Sequence, residues 1–202
     1  MLIKLAIDRH PESVGEYEKL IKAVCLLSNL FSDSDKPYID YRLAENMFCR
    51  CFGADNLSRS DCSVDARLEG LGIGIKTFLG TGKTPSLQKV AEFNRDSPKF
   101  RNMDLAELVR CVSELRNERI AFTKRTYGID DTQYHCLVRD SGCVSIIECP
   151  MSQVNTDKIC IDSEKRHGSS SVAFPTESTT TSSTDPRVLF MPDSIFPDLS
   201  WI

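Results

Sequence analysis

The chain has 202 residues, 41% hydrophobic and 27% charged. That balance excludes disorder throughout and suits one good-sized domain, with or without an appendage. A formal net charge of −4 gives no global attraction to nucleic acid, although a local basic face is compatible with it.

The opening segment, MLIKLAIDRH, meets charge by Asp8 and lacks the apolar core of a signal peptide. No apolar run reaches membrane-spanning length, so a cytoplasmic location without a membrane partner is expected. Residues 13–31 place Val14, Tyr17, Leu20, Ile21, Val24 and Leu27 at helical three-and-four spacing. A break at SDSDKP is followed by a second predicted helix near 39–52, which Gly53 would stop. Residues 63–68 and 71–79 read as a β-hairpin around a tight turn at Leu68-Glu69-Gly70. Pro85 suits the first turn of a helix over SLQKVAEFN. A longer helix is predicted over 103–126, capped by Asp104 or Asn102, with Leu105, Leu108, Val109, Val112 and Leu115 on its buried stripe.

After Gly128 the pattern turns extended. QYHCLVRD and CVSIIECP flank Ser141-Gly142, a hairpin signal, and DKICID adds a further strand. Residues 168–184 are rich in Ser and Thr and are expected to be irregular. The tail VLFMPDSIFPDLSWI is apolar again, as if it packs elsewhere or begins a larger unit. The expected organisation is a domain over 1–165 followed by this segment and tail over 166–202, and the expected fold is α/β, a central mixed sheet flanked by helices.

Nine cysteines, an odd number without a secretion signal, argue against a disulfide framework. Only Cys49-Arg-Cys51 is closely spaced and no second pair answers it, so a zinc site is not indicated and free buried thiols are expected.

The stretch that carries chemistry runs from Asp65 to Phe78. Strand alternation puts Gly72, Gly74 and Lys76 on one face and Ile73 and Ile75 on the other, which leaves space around the lysine. Across the hairpin, Asp65 can approach Lys76. An aspartate can hold a hard cation through oxygen, and that cation lowers the pKa of a bound water. A lysine beside it orients the water and adds positive charge where negative charge develops.

On these residues the chain resembles the PD-(D/E)XK nuclease superfamily, which includes type II restriction endonucleases. Asp65 matches the first acid, and LGIGIKTF resembles the strand that carries the lysine, here Lys76. The resemblance covers roughly residues 40–95 and implies a restriction-endonuclease-like fold. It also implies Mg2+-dependent, sequence-specific hydrolysis of double-stranded DNA, commonly by a homodimer matched to a palindromic site. Where the family places its second acid, this chain has Gly74. Glu92, on the helix predicted after the lysine strand, is the candidate replacement, so Asp65 and Glu92 are the expected metal ligands. Glu69 is a weaker replacement, and Asp61 competes with Asp65 for the first-acid role. Glu45, on the helix before the hairpin, is a further catalytic candidate.

Simpler readings stand beside these. Lys76 can be an edge-strand lysine reaching for water, Asp65 a turn acid and Glu45 an exposed helical residue. Gly80-Thr-Gly-Lys83-Thr84 lacks the upstream glycine of a phosphate loop, since Thr77 stands at that position. Arg59, Lys83 and Lys89 are candidate DNA contacts, the two lysines within a basic rim with Arg95, Lys99 and Arg101. His135 and His167 look isolated, His10 lies near the terminus, and no Ser-His-Asp or Cys-His arrangement follows from spacing. The alternatives to an active nuclease are a catalytically inactive DNA-binding module of the same fold and a protein-interaction domain without a nucleic-acid role.

Overall fold

The computed structural model describes residues 6–28, 30–80, 93–100, 102–162 and 171–173. They fall into two compact units, one holding residues 6–80 and 120–151, the other 93–119, 152–162 and 171–173. The boundary expected at 165/166 lies outside the described residues, as does the helix expected to start at Pro85.

The first unit is α/β. Helices α1 (Ala6–Arg9), α2 (Pro11–Ser28) and α3 (Tyr41–Phe52) precede strands β1 (Asp55–Asn56), β2 (Ala66–Leu68) and β3 (Leu71–Leu79). After α4 (Leu105–Tyr127) come β4 (Asp131–Asp140) and β5 (Cys143–Pro150). The sheet runs β1-β2-β3-β4-β5; β3 and β4 are parallel and every other pair is antiparallel. It is therefore a five-stranded mixed sheet flanked by helices.

Local chemistry sets these boundaries. Asp40 accepts from the N–H groups of Arg42 and Leu43 at the start of α3, and Gly53 ends the helix in the left-handed region at φ 64°. Asp104 accepts from the Glu107 N–H at 2.9 Å while the Glu107 carboxylate accepts from the Asp104 N–H at 3.2 Å, a reciprocal cap on α4. Glu69 and Gly70 both have positive φ, 48° and 78°, as a two-residue turn between twisted strands demands. Apolar faces then close the core. Tyr17 and Ile21 of α2 and Ala44, Phe48 and Phe52 of α3 share one buried cluster with Ile73, Ile75 and Leu137 of the sheet.

In the second unit, residues 105–119 of α4 pack Val112 with Phe93 and Phe100, and Val109 with Val154. Asn117 bonds the backbone of Val154 in both directions, each bond 2.8 Å, and Arg116 donates to the Ser152 carbonyl at 2.7 Å. Strands β6 (Cys160–Asp162) and β7 (Ser171–Ala173) pair antiparallel. The segment 168–184, expected to be irregular, thus contributes three residues to a strand. In that ladder Val172 lies opposite Ile161. No helix among the described residues is long and apolar enough to cross a membrane.

Candidate active site

The site begins where β2 starts. The first β2–β3 pair is Ala66 opposite Ile73, and Asp65 stands one residue before it. The Asp65 N–H donates to the Ile73 carbonyl at 2.8 Å, and its carbonyl accepts from the Leu57 N–H at 2.9 Å. With its backbone held, Asp65 turns its carboxylate toward β3 just past the end of the β2–β3 pairing. Oδ2 accepts from the Ile75 N–H at 2.7 Å and from the Lys76 ammonium at 2.9 Å. The two side chains are 19% and 26% exposed, so the ion pair is half-buried and reachable from solvent. Both bonds fall on Oδ2; Oδ1 has no partner among the described residues.

Glu45 reaches the same place from α3. It is buried, and its carboxylate accepts from Arg42 Nη1 at 3.3 Å. Burial pushes the Glu45 carboxyl above the usual carboxylate range, and the negative charge of Asp65 pushes it further. The Ser58 hydroxyl, Arg42 and Lys76 oppose that rise. Two carboxylates and two cations therefore act on one another here, with burial the larger cause of the rise at Glu45. Arg42 also donates to the Ser58 carbonyl at 2.9 Å, which ties α3 to the loop leading into Asp65. At the far end of that loop, the Ser63 N–H and hydroxyl both bond the Thr123 hydroxyl, at 2.9 and 3.0 Å.

Around Gly74 the structure corrects the sequence reading. A Cβ at Gly74 would stand 2.6 Å from Met151 Cε and 3.2 Å from the Tyr134 ring. One at Gly72 would stand 3.1 Å from Ile129 and Val64. The glycines do not leave open space beside Lys76. They let apolar side chains approach the backbone closely, and Met151 and Tyr134 occupy the space over Gly74. Glu92, Lys83 and Lys89 lie outside the described residues. Arg59 is exposed on the loop before Asp65, and Asp61 is exposed nearby. Glu69 sits in the turn, 3.5 Å from His10 Nε2. Lys99, expected in the basic rim, is paired with Asp96 at 2.7 Å.

His135 is not isolated. It is fully buried, with Nδ1 at 2.7 Å from Glu148 and Nε2 at 3.0 Å from the Tyr17 hydroxyl. Its partners lie 13 and 118 residues away, so spacing carried no signal of them. Arg42 was also missed; its place one turn before Glu45 on a predicted helix was the available clue.

The chain matches no protein-family model, no curated protein and no solved structure. Among the described residues, no three His, Cys, Asp or Glu side chains converge as a metal-holding group. The donors at hand are Asp65 Oδ1 and Glu45. Magnesium keeps several waters and takes one or two carboxylates together with substrate phosphates, so two carboxylates are the kind of donor it accepts.

Proposed function

We propose that the chain is a Mg2+-dependent endonuclease of restriction type, hydrolysing phosphodiester bonds of double-stranded DNA with sequence specificity. The observation that carries this reading is the 2.9 Å contact between Lys76 and Asp65 on adjacent strands, with buried Glu45 beside them. Asp65 and Glu45 would hold the cation, whose chemistry is to acidify a bound water and offset charge on the scissile phosphate. Lys76, fixed by Asp65, orients the attacking water and keeps a positive charge beside the reacting phosphorus. A divalent ion held by Glu45 and Asp65 would favour the charged form of the Glu45 carboxyl, which burial and the charge of Asp65 disfavour. Arg59, exposed on the loop before Asp65, would meet a backbone phosphate.

The test is cleavage of mixed-sequence duplex DNA with magnesium or with a chelator, by wild type, Lys76→Ala and Asp65→Asn. Cutting should require magnesium and fall by about 10²-fold or more in each variant, the scale of removing one preorganised charge-stabilising group. Cutting by Lys76→Ala at the wild-type rate would remove this site from the mechanism.

The crowding at Gly74 favours one second reading, a DNA-binding module of the same architecture that does not cut. Retention of duplex DNA that weakens steeply with salt, without cleavage in magnesium, distinguishes that outcome.

A further inference from the structure

The C-terminal end of α2 carries apolar side chains that the core does not use. Tyr17 and Ile21 are buried, whereas Leu26 and Leu27 are 71% and 55% exposed. The Leu30 N–H donates to the Leu27 carbonyl and the Phe31 N–H to the Ser28 carbonyl, each at 3.0 Å, so one further turn follows the helix. On that turn Leu30 and Phe31 are 75% and 85% exposed. Residues three and four apart share a helix face, so these four side chains make one patch rather than scattered apolar groups. Charge brackets the patch along the chain. Lys19 and Lys22 stand before it and Asp33 just after it, all three exposed. None of the three has an ion pair among the described residues.

We propose that this end of α2 is a dimerisation surface, covered by the same patch of a second copy of the chain. Its chemistry runs basic, then apolar, then acidic. Such a surface complements itself when two copies lie antiparallel about a two-fold axis. A parallel arrangement would set lysine on lysine and aspartate on aspartate, which repels. With the axis between Leu26 and Leu27, the leucines and Phe31 of one copy cover those of the other. At about 1.5 Å per residue, Lys19 and Asp33 stand about 10–11 Å to either side of that axis. Lys19 therefore meets Asp33 of the partner subunit, and the symmetry makes the contact twice. Pairing the patches takes out of water four large side chains per copy that a single chain leaves wet. The dimer forms whether or not the Lys76 site cuts DNA.

The experiment is sedimentation equilibrium of the full chain in dithiothreitol, which prevents cross-linking through the exposed Cys143. The mass should rise with concentration from one chain to two. Leu30→Asp and Phe31→Asp should each keep the chain monomeric over the same range. Both side chains are mostly exposed, so neither change costs the fold much, and circular dichroism checks that each variant is folded. Lys19→Glu and Asp33→Lys should each raise the dissociation constant about tenfold, since each swap creates two like-charge contacts, and the two together should restore it. A chain that stays monomeric at every concentration would overturn the proposal and leave the patch to the apolar tail at 188–202 or to another protein. A dimer that survives both aspartate variants would also overturn it, placing the interface elsewhere. Single charge swaps without effect, or a double swap that restores nothing, would overturn the antiparallel arrangement.

Discussion

Gly74 is the position where packing can be tested most directly. In Gly74→Ala the new methyl would stand 2.6 Å from Met151 Cε and 3.2 Å from the Tyr134 ring. Ordinary carbon contacts lie near 3.5–4.0 Å, so the Met151 methyl must retreat by about 1 Å. Met151 is 2% exposed, so its methyl, the free end of a flexible side chain, must find its new place inside the core. Overpacking of this kind costs about 1–3 kcal/mol, partly offset by about 0.4–1 kcal/mol because alanine narrows the unfolded ensemble. The net expectation is a loss of about 0.5–2 kcal/mol. Met151→Ala alone should lose about 2–5 kcal/mol through the cavity it leaves. In that background the added methyl enters vacated space, so Gly74→Ala should become neutral or stabilising. Urea unfolding of the four chains, followed by circular dichroism, measures the cycle. A coupling of about 1–3 kcal/mol is expected. Effects of Gly74→Ala that agree within about 0.5 kcal/mol in the two backgrounds would refute the packing argument.

Three further outcomes follow from the same geometry. The folded chain holds the Glu45 proton more tightly than the unfolded chain, so this stabilising contribution is full below the unfolded value near 4.5 and fades as pH rises through the higher folded value. Glu45→Gln should remove the decline, gaining on wild type as pH climbs through that window; parallel stability curves would count against a raised Glu45 carboxyl. Tyr17→Phe leaves His135 Nε2 buried without its partner and should cost about 1–3 kcal/mol in chemical unfolding, with the hydroxyl rather than the ring responsible. Magnesium at about 100 times its dissociation constant should stabilise wild type by about 2.7 kcal/mol in thermal unfolding and leave Asp65→Asn almost unmoved; equal shifts would place the ion elsewhere.

The candidate site was legible in the sequence where its residues are close along the chain. Strand alternation and a Glu-Gly turn placed Asp65 against Lys76, and helical spacing put Glu45 on the element before them. The caps at Asp104 and Gly53 were legible for the same local reason. What could not be read depends on distant chain segments meeting. Met151 reaches Gly74 from beyond the end of β5, and Tyr17 reaches His135 across the core. A glycine beside a lysine reads as empty space until the side chain that fills it is known. The β7 residues Ser171–Ala173 looked irregular because composition does not reveal a pairing partner.

The two neighbours of β3 come from very different places along the chain. β2 joins it through a two-residue turn, whereas β4 pairs with it about sixty residues later, a far longer loop to close. During synthesis, Glu45, Asp65 and Lys76 have all left the ribosome before the residues that back them, Tyr134, Cys136 and Met151, are made. The nascent hairpin can therefore bring its acid and amine together early, while the floor beneath them closes last.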